Sequence, residues 1–137
     1  MSKQTLLKGL NQDLNDELAT AMRYLLEASL MRGLPGHEAR ELFEKEIADE
    51  MKHAAFLADK IVALGGTPEV KPELPTPLTD PKKALQRELD FERKAIAGYT
   101  ERVKQADAVG EVGLRVELEN MIADETHHAE EIERLLG

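Results

Sequence analysis

The residues of this chain best suited to chemistry come as two short runs that read almost alike: Ile47-Ala48-Asp49-Glu50-Met51-Lys52-His53-Ala54 and Ile122-Ala123-Asp124-Glu125-Thr126-His127-His128-Ala129. Each contains Glu-x-x-His, which on a helix sets a carboxylate and an imidazole on one face, a turn apart. The runs are 75 positions apart, and the same offset pairs Glu17 with Glu92, Tyr24 with Tyr99, Leu10 with Leu85 and Leu14 with Leu89. In each half a lone glutamate precedes the motif glutamate by 33 positions, Glu17 before Glu50 and Glu92 before Glu125. A repeat that keeps costly residues in register describes one site built twice, and its donors suit a pair of metal ions.

A helical glutamate is ordinarily solvated. Here Glu17 falls on the stripe of Leu10, Leu14, Ala21 and Tyr24, and Glu92 on that of Leu85, Leu89, Ile96 and Tyr99. Glu50 shares its face with Phe43, Ile47, Ala54 and Leu57, and Glu125 with Leu118, Ile122, Ala129 and Ile132. All four are expected to point inward, where unpartnered carboxylates cost several kcal/mol each or stay protonated. No lysine or arginine is expected on these faces to neutralise them. Two divalent cations would balance the four glutamates, with His53 and His128 as neutral ligands. Oxygen-rich ligation with one imidazole per metal suits iron or manganese better than structural zinc. Glu50 and Glu125 are the natural bridges, and Glu17 and Glu92 the terminal ligands.

The neighbours of these residues have more than one reading. Asp49 and Asp124 either orient the histidine of the opposite half or are exposed helix charges. Tyr24 and Tyr99 are expected to pack in the core, with a hydrogen bond or electron donation near the metals as the second role. Glu46 and Glu88 are expected nearer the helix edge and exposed, with extra ligands or an iron access path as the alternative. His127 is expected to face solvent and His37 to sit in a loop or at a helix start; neither is repeated, which counts against both as ligands.

Four helices can position such a site. Apolar residues recur at helical spacing over about 3–32 (Leu6, Leu7, Leu10, Leu14, Leu18, Ala21, Leu25, Ala28) and 37–64, with Pro35-Gly36 as the turn between them. A third helix is expected over 81–106, opened by Asp80-Pro81, and a fourth over 110–136. Between them 65–80 is proline-rich and cannot be helical. About 15 extended residues reach ~50 Å at ~3.3 Å each, enough to run the length of a bundle. Two antiparallel helical hairpins joined by a long crossover make an all-α, ferritin-like four-helix bundle, one domain over 1–137.

Composition narrows the function classes. With no cysteine, thiolate zinc sites, iron–sulfur clusters and rubredoxin-type iron are excluded. A formal charge of −9 argues against nucleic acid and for small cations. No apolar run approaches a membrane span and the start has no signal-peptide core, so the expected location is cytoplasmic.

The motifs Asn15-Asp16-Glu17 with Tyr24, Asp49-Glu50-Met51-Lys52-His53-Ala54, Glu92, and Asp124-Glu125 with His128 together resemble the ferritin-like superfamily, and within it most closely bacterioferritin. The resemblance covers nearly the whole chain. It implies a ferroxidase: two Fe(II) ions per chain, with Mn as the alternative metal, oxidised by O2 or H2O2 for iron storage or detoxification. Glu17, Glu50, His53, Glu92, Glu125 and His128 would be both metal ligands and catalytic residues. It also implies a homo-oligomer, a dimer at least. Met51 occupies the place of a haem-ligating methionine at a dimer interface, so haem b is a further expected cofactor, with close helix packing as the other reading. Bacterioferritins continue into a short fifth helix that helps close a shell, whereas this chain reaches Gly137 nine residues after His128, so a dimer or a smaller assembly stands open beside a closed cage. Two other readings stay open: a rubrerythrin-like peroxidase or oxidase without its rubredoxin domain, and a metal-binding bundle without significant turnover.

Overall fold

The first helix begins where a hydroxyl can cap it. Ser2 Oγ accepts from the Thr5 amide at 3.1 Å, and α1 follows over Lys3–Leu30. The structure, a computed structural model, describes residues 2–137. After a two-residue turn, Met31 and Arg32, α2 spans Gly33–Ala63; α3 spans Pro81–Ala108 and α4 Val112–Leu136. Among the described residues there is no strand, and no helix is long and apolar enough to cross a membrane.

The turn between the first two helices does not lie at Pro35-Gly36. Both residues belong to the first turn of α2, where a proline's missing N–H would have had no helical partner. Gly33 opens that helix at φ +63°, a backbone angle that favours glycine, and Gly36 lets the chain pass within contact of Met31. The turn between α3 and α4 uses Gly110 at φ +76°. Asp80 caps α3 by accepting from the Lys83 amide at 2.9 Å, with Pro81 at its first position.

Each hairpin packs tightly within itself, and the inner stripes meet in two apolar layers. One gathers Leu6, Leu10, Leu14, Leu57, Ile61, Leu114 and Leu118; the other gathers Tyr24, Phe43, Leu85, Leu89 and Ile132. Burying each large side chain contributes roughly 1.5–3 kcal/mol. The acidic and imidazole side chains lie between these layers. Leu25, expected inside, is 60% exposed, because it is displaced around the helix from the stripe that Ala21, Tyr24 and Ala28 bury.

The crossover runs along α1 and is pinned at both ends. Asn11 and Asn15 each bond the passing backbone twice: their amide groups donate to Thr67 O (3.3 Å) and Glu69 O (2.7 Å), and their oxygens accept from Glu69 N (2.8 Å) and Lys71 N (2.5 Å). At the far end Arg87 donates to Thr76 O at 2.9 Å, and Glu27 accepts from Leu78 N at 3.3 Å.

Two arginines are buried in the bundle, away from the four glutamates. Arg23 clasps Glu88 (Nε to Oε2 at 2.9 Å) and lies over the Phe91 ring, while Arg102 clasps Asp13 (Nε to Oδ2 at 2.7 Å). Glu88, expected at an exposed edge, is fully buried by that pairing. A Cβ at Gly9 would overlap the Arg102 guanidinium, so glycine there is what admits it.

Burial, followed by contact with Glu88, pushes the Glu27 carboxyl up to about 8, against the pull of Arg87. The folded protein thus keeps a proton that the unfolded chain releases near pH 4.5. The stability tied to that proton is present at low pH and lost as pH rises toward 8. Chemical denaturation of wild type and Glu27→Gln from pH 5 to 8 should show wild type losing up to about 1.4 kcal/mol per pH unit relative to the variant. Parallel profiles would contradict this assignment.

Candidate metal centre

Four helices each bring part of one buried cluster to the middle of the bundle. Helix α1 supplies Glu17, α2 Glu50 and His53, α3 Glu92, and α4 Glu125 and His128, none more than 5% exposed. The periodicity explains why: Glu and His one turn apart on α2 and α4 share the inner stripe with Ala54, Leu57, Ala129 and Ile132.

Donor atoms within these residues form two groups, each within 4.8 Å: Glu17, Glu50, His53 and Glu125, and Glu50, Glu92, Glu125 and His128. Glu50 and Glu125 belong to both, the geometry of bridging carboxylates. His53 Nδ1 lies 3.1 Å from Glu125 Oε1 and 3.7 Å from Glu17 Oε1. His128 Nδ1 lies 3.1 Å from Glu50 Oε1 and 3.9 Å from Glu92 Oε1.

Each of the six residues also leaves a buried donor or acceptor without a hydrogen-bond partner. They are Glu17 Oε2, both oxygens of Glu50, Glu92 Oε2, Glu125 Oε1 and the Nδ1 atoms of both histidines. Such orphans cost about 1–3 kcal/mol each, more for charged groups, so their convergence on one point calls for a further partner. Carboxylate oxygens and imidazole nitrogens in this number fit two divalent transition ions. Arg23 and Arg102 do not compete, since they are committed to Glu88 and Asp13.

The far side of each donor is held from the opposite hairpin. Tyr24 O–H donates to Glu92 Oε1 at 2.5 Å, and Tyr99 O–H donates to Glu17 Oε1. The tyrosines therefore do more than pack. His53 Nε2 meets Asp124 Oδ2 at 2.9 Å and His128 Nε2 meets Asp49 Oδ2 at 3.2 Å, which fixes each Nδ1 toward the cluster. Of the two readings left open for Asp49 and Asp124, both hold at once: they orient the histidines and their side chains are more than half exposed.

Glu46, expected at an exposed edge, is 1% exposed and contacts His128 Nε2. Its place one turn before Glu50 was the available signal; what the sequence could not show is that the α4 histidine reaches past the cluster to it. Met51 lies outside the cluster on the outer surface of α2, 47% exposed. His127 and His37 also face solvent. A cavity of about 670 Å³ between α1, α3 and the crossover reaches the cluster at Glu17 and Tyr99.

Crowding sets the protonation of these groups. Burial first, then the charge of Glu17, pushes the Glu50 carboxyl well above its ordinary range. Burial, then contact with Glu125, pushes Glu92 up to about 11. Burial opposes the charged form of His53, but the nearby carboxylates of Glu125 and Glu17 outweigh it and push it up to about 11; Glu46 and Glu125 likewise take His128 to about 9. For Glu125 burial is outweighed by contacts with Glu92 and His53, which hold it down at about 2.

Comparison with known proteins gives the family and the fold. The family profile described as "Ferritin-like domain" matches residues 7–137. A "Bacterial ferritin" of Synechocystis sp. (strain ATCC 27184 / PCC 6803 / Kazusa) is 28% identical over 138 residues, which cover 98% of this chain and 88% of that protein. The crystal structure described as "ferritin like, diiron-carboxylate proteins" from Bacillus anthracis str. Ames superposes with a TM-score of 0.94 at 39% identity, covering 100% of both chains. Rhodobacter capsulatus bacterioferritin, described with a metal-free dinuclear site and haem iron, shares the fold with a TM-score of 0.85 at 24% identity, over 99% of this chain and 86% of its own.

Burial and the neighbouring carboxylates favour the protonated forms of Glu50, Glu92, His53 and His128 in the metal-free protein, so divalent cations compete with protons for the site. Loading two cations per chain near pH 7 in weak buffer should release at least two protons, measured by pH-stat, and affinity should fall as pH is lowered. Release of fewer than two would contradict the assignment.

Proposed function

The chain belongs to the ferritin-like domain family, and we propose that within it the protein is a di-iron ferroxidase serving iron storage or detoxification. The observation that carries this reading is the pair of donor groups sharing Glu50 and Glu125, each completed by one terminal glutamate and one Nδ1. Two Fe(II) ions are the substrate. Held side by side, each gives up one electron, and the pair reduces O2 with two protons to H2O2, or H2O2 with two protons to two water molecules. Carboxylate oxygens favour the higher charge of the Fe(III) product, so binding energy is directed at the oxidised state.

The protein's own groups do the rest. Tyr24 and Tyr99 each hold one terminal glutamate in place through a hydroxyl, leaving the other oxygen free for the metal. Asp49 and Asp124 hold the imidazoles with Nδ1 inward. The cavity ending at Glu17 and Tyr99 gives small molecules a route to the centre.

The same reading makes the protein a homo-oligomer, a dimer at least. Exposed Met22, Leu25 and Leu26 on α1, and Met51 and Val62 on α2, support it, since apolar side chains in number on one hairpin suit association. Met51 is in the right place, on the outside, to ligate a haem b shared between two copies; the resemblance to bacterioferritin supports that assignment.

Anaerobic Fe(II) titration followed by O2 tests the reaction. The protein should bind two irons per chain, then develop the absorbance of an oxo-bridged ferric pair. Glu50→Ala and Glu125→Ala should each slow oxidation at least ~100-fold, as expected for loss of a bridging ligand. Two irons bound without faster oxidation than in free solution would leave a binding protein instead.

A further inference from the structure

The two halves of the centre are built on the same repeat, but they are not the same around their histidines. The 75-position offset places Asp49 over Asp124 and His53 over His128, yet it places Glu46 over Met121. Met121 is a buried apolar residue of the core. His53 Nε2 therefore has one carboxylate beside it, that of Asp124 at 2.9 Å. His128 Nε2 has two, Asp49 Oδ2 at 3.2 Å and Glu46 Oε2 closer still. The aspartates are screened by water, with side chains 54% and 58% exposed. Glu46 is 1% exposed, and its Oε2 lies against His128 Nε2 and makes no hydrogen bond to any other group.

We propose that Glu46 is a positioning residue that makes the two metal positions unequal: acting through His128, it makes the position held by Glu92 and His128 bind its cation more tightly than the one held by Glu17 and His53. This rests on the two-metal reading above. The physical step is short. A carboxylate accepting the far N–H of a ligating imidazole fixes its tautomer and raises the basicity of the other nitrogen, an effect worth about 10–100-fold in metal affinity. A buried carboxylate at that place acts with less dielectric loss than an exposed one. His128 therefore receives the stronger effect, and the first cation settles on its side of the centre.

Anaerobic titration with Co(II), followed by its visible absorption and by calorimetry, tests this without turnover. Two-step binding is not sufficient, because shared carboxylates separate the steps even in a symmetric site. The reading comes from variants. Glu46→Met, which copies the other half, should weaken the first step about tenfold and leave the second nearly unchanged. Glu46→Gln keeps an acceptor without the charge and should recover part of that loss. Asp124→Asn should weaken the second step only. Circular dichroism of the metal-free variants should show wild-type helix content, and their thermal midpoints should not track the affinity losses.

The inference is overturned if Glu46→Met leaves the first step within twofold of wild type, or if Asp124→Asn weakens the first step more than Glu46→Met does. It is also overturned if wild type takes up a third cation that Glu46→Met alone abolishes with the first two steps intact. Absence of any stoichiometric Co(II) binding to wild type would instead remove the two-metal reading itself.

Discussion

Four carboxylates and two imidazoles in the dry middle of a helical bundle are a liability that only cations remove. Glu17, Glu50, Glu92 and Glu125 are each no more than 2% exposed, and the buried arginines are occupied elsewhere. Without metal, burial and crowding favour protons on Glu50, Glu92, His53 and His128. Divalent ions compete for the same donors, so the site exchanges protons for metal charge. That exchange makes the interior tolerable in both states and links metal binding to proton release.

The rest of the fold answers the demand for fixed donor positions. Every support crosses from one hairpin to the other: Tyr24 to Glu92, Tyr99 to Glu17, Asp124 to His53 and Asp49 to His128. Neither hairpin can present its ligands correctly alone. Apolar layers flank the cluster on both sides, and the crossover, tied to α1 at Asn11, Asn15 and Glu27, fixes which end of the second hairpin faces which end of the first.

Much of this was legible in the sequence because it is written in periodicity. The all-α bundle, the long crossover and the inward register of the glutamates follow from spacing along single helices, and a 75-position repeat shows which residues must meet. What depends on contacts between helices was not legible. Glu46 and Glu88 look like edge charges on their own helices and are buried only because His128 and Arg23 reach them from others. The buried pairing of Arg23 and Arg102 was not legible for the same reason. The turn at Met31–Arg32 was hidden because Pro35-Gly36 has turn chemistry, although a proline is equally at home in a helix's first turn. Leu25 was counted in the apolar helical spacing of α1, where its angle around the helix points it out.

Diffraction from crystals soaked anaerobically in Fe(II), recorded at the iron absorption edge, tests the account most directly. It predicts two anomalous peaks inside each bundle, both within ligand distance, about 2.0–2.2 Å, of Glu50 and Glu125, one beside His53 and the other beside His128. Peaks confined to the surface, or a bundle interior without iron at saturating metal, would contradict it.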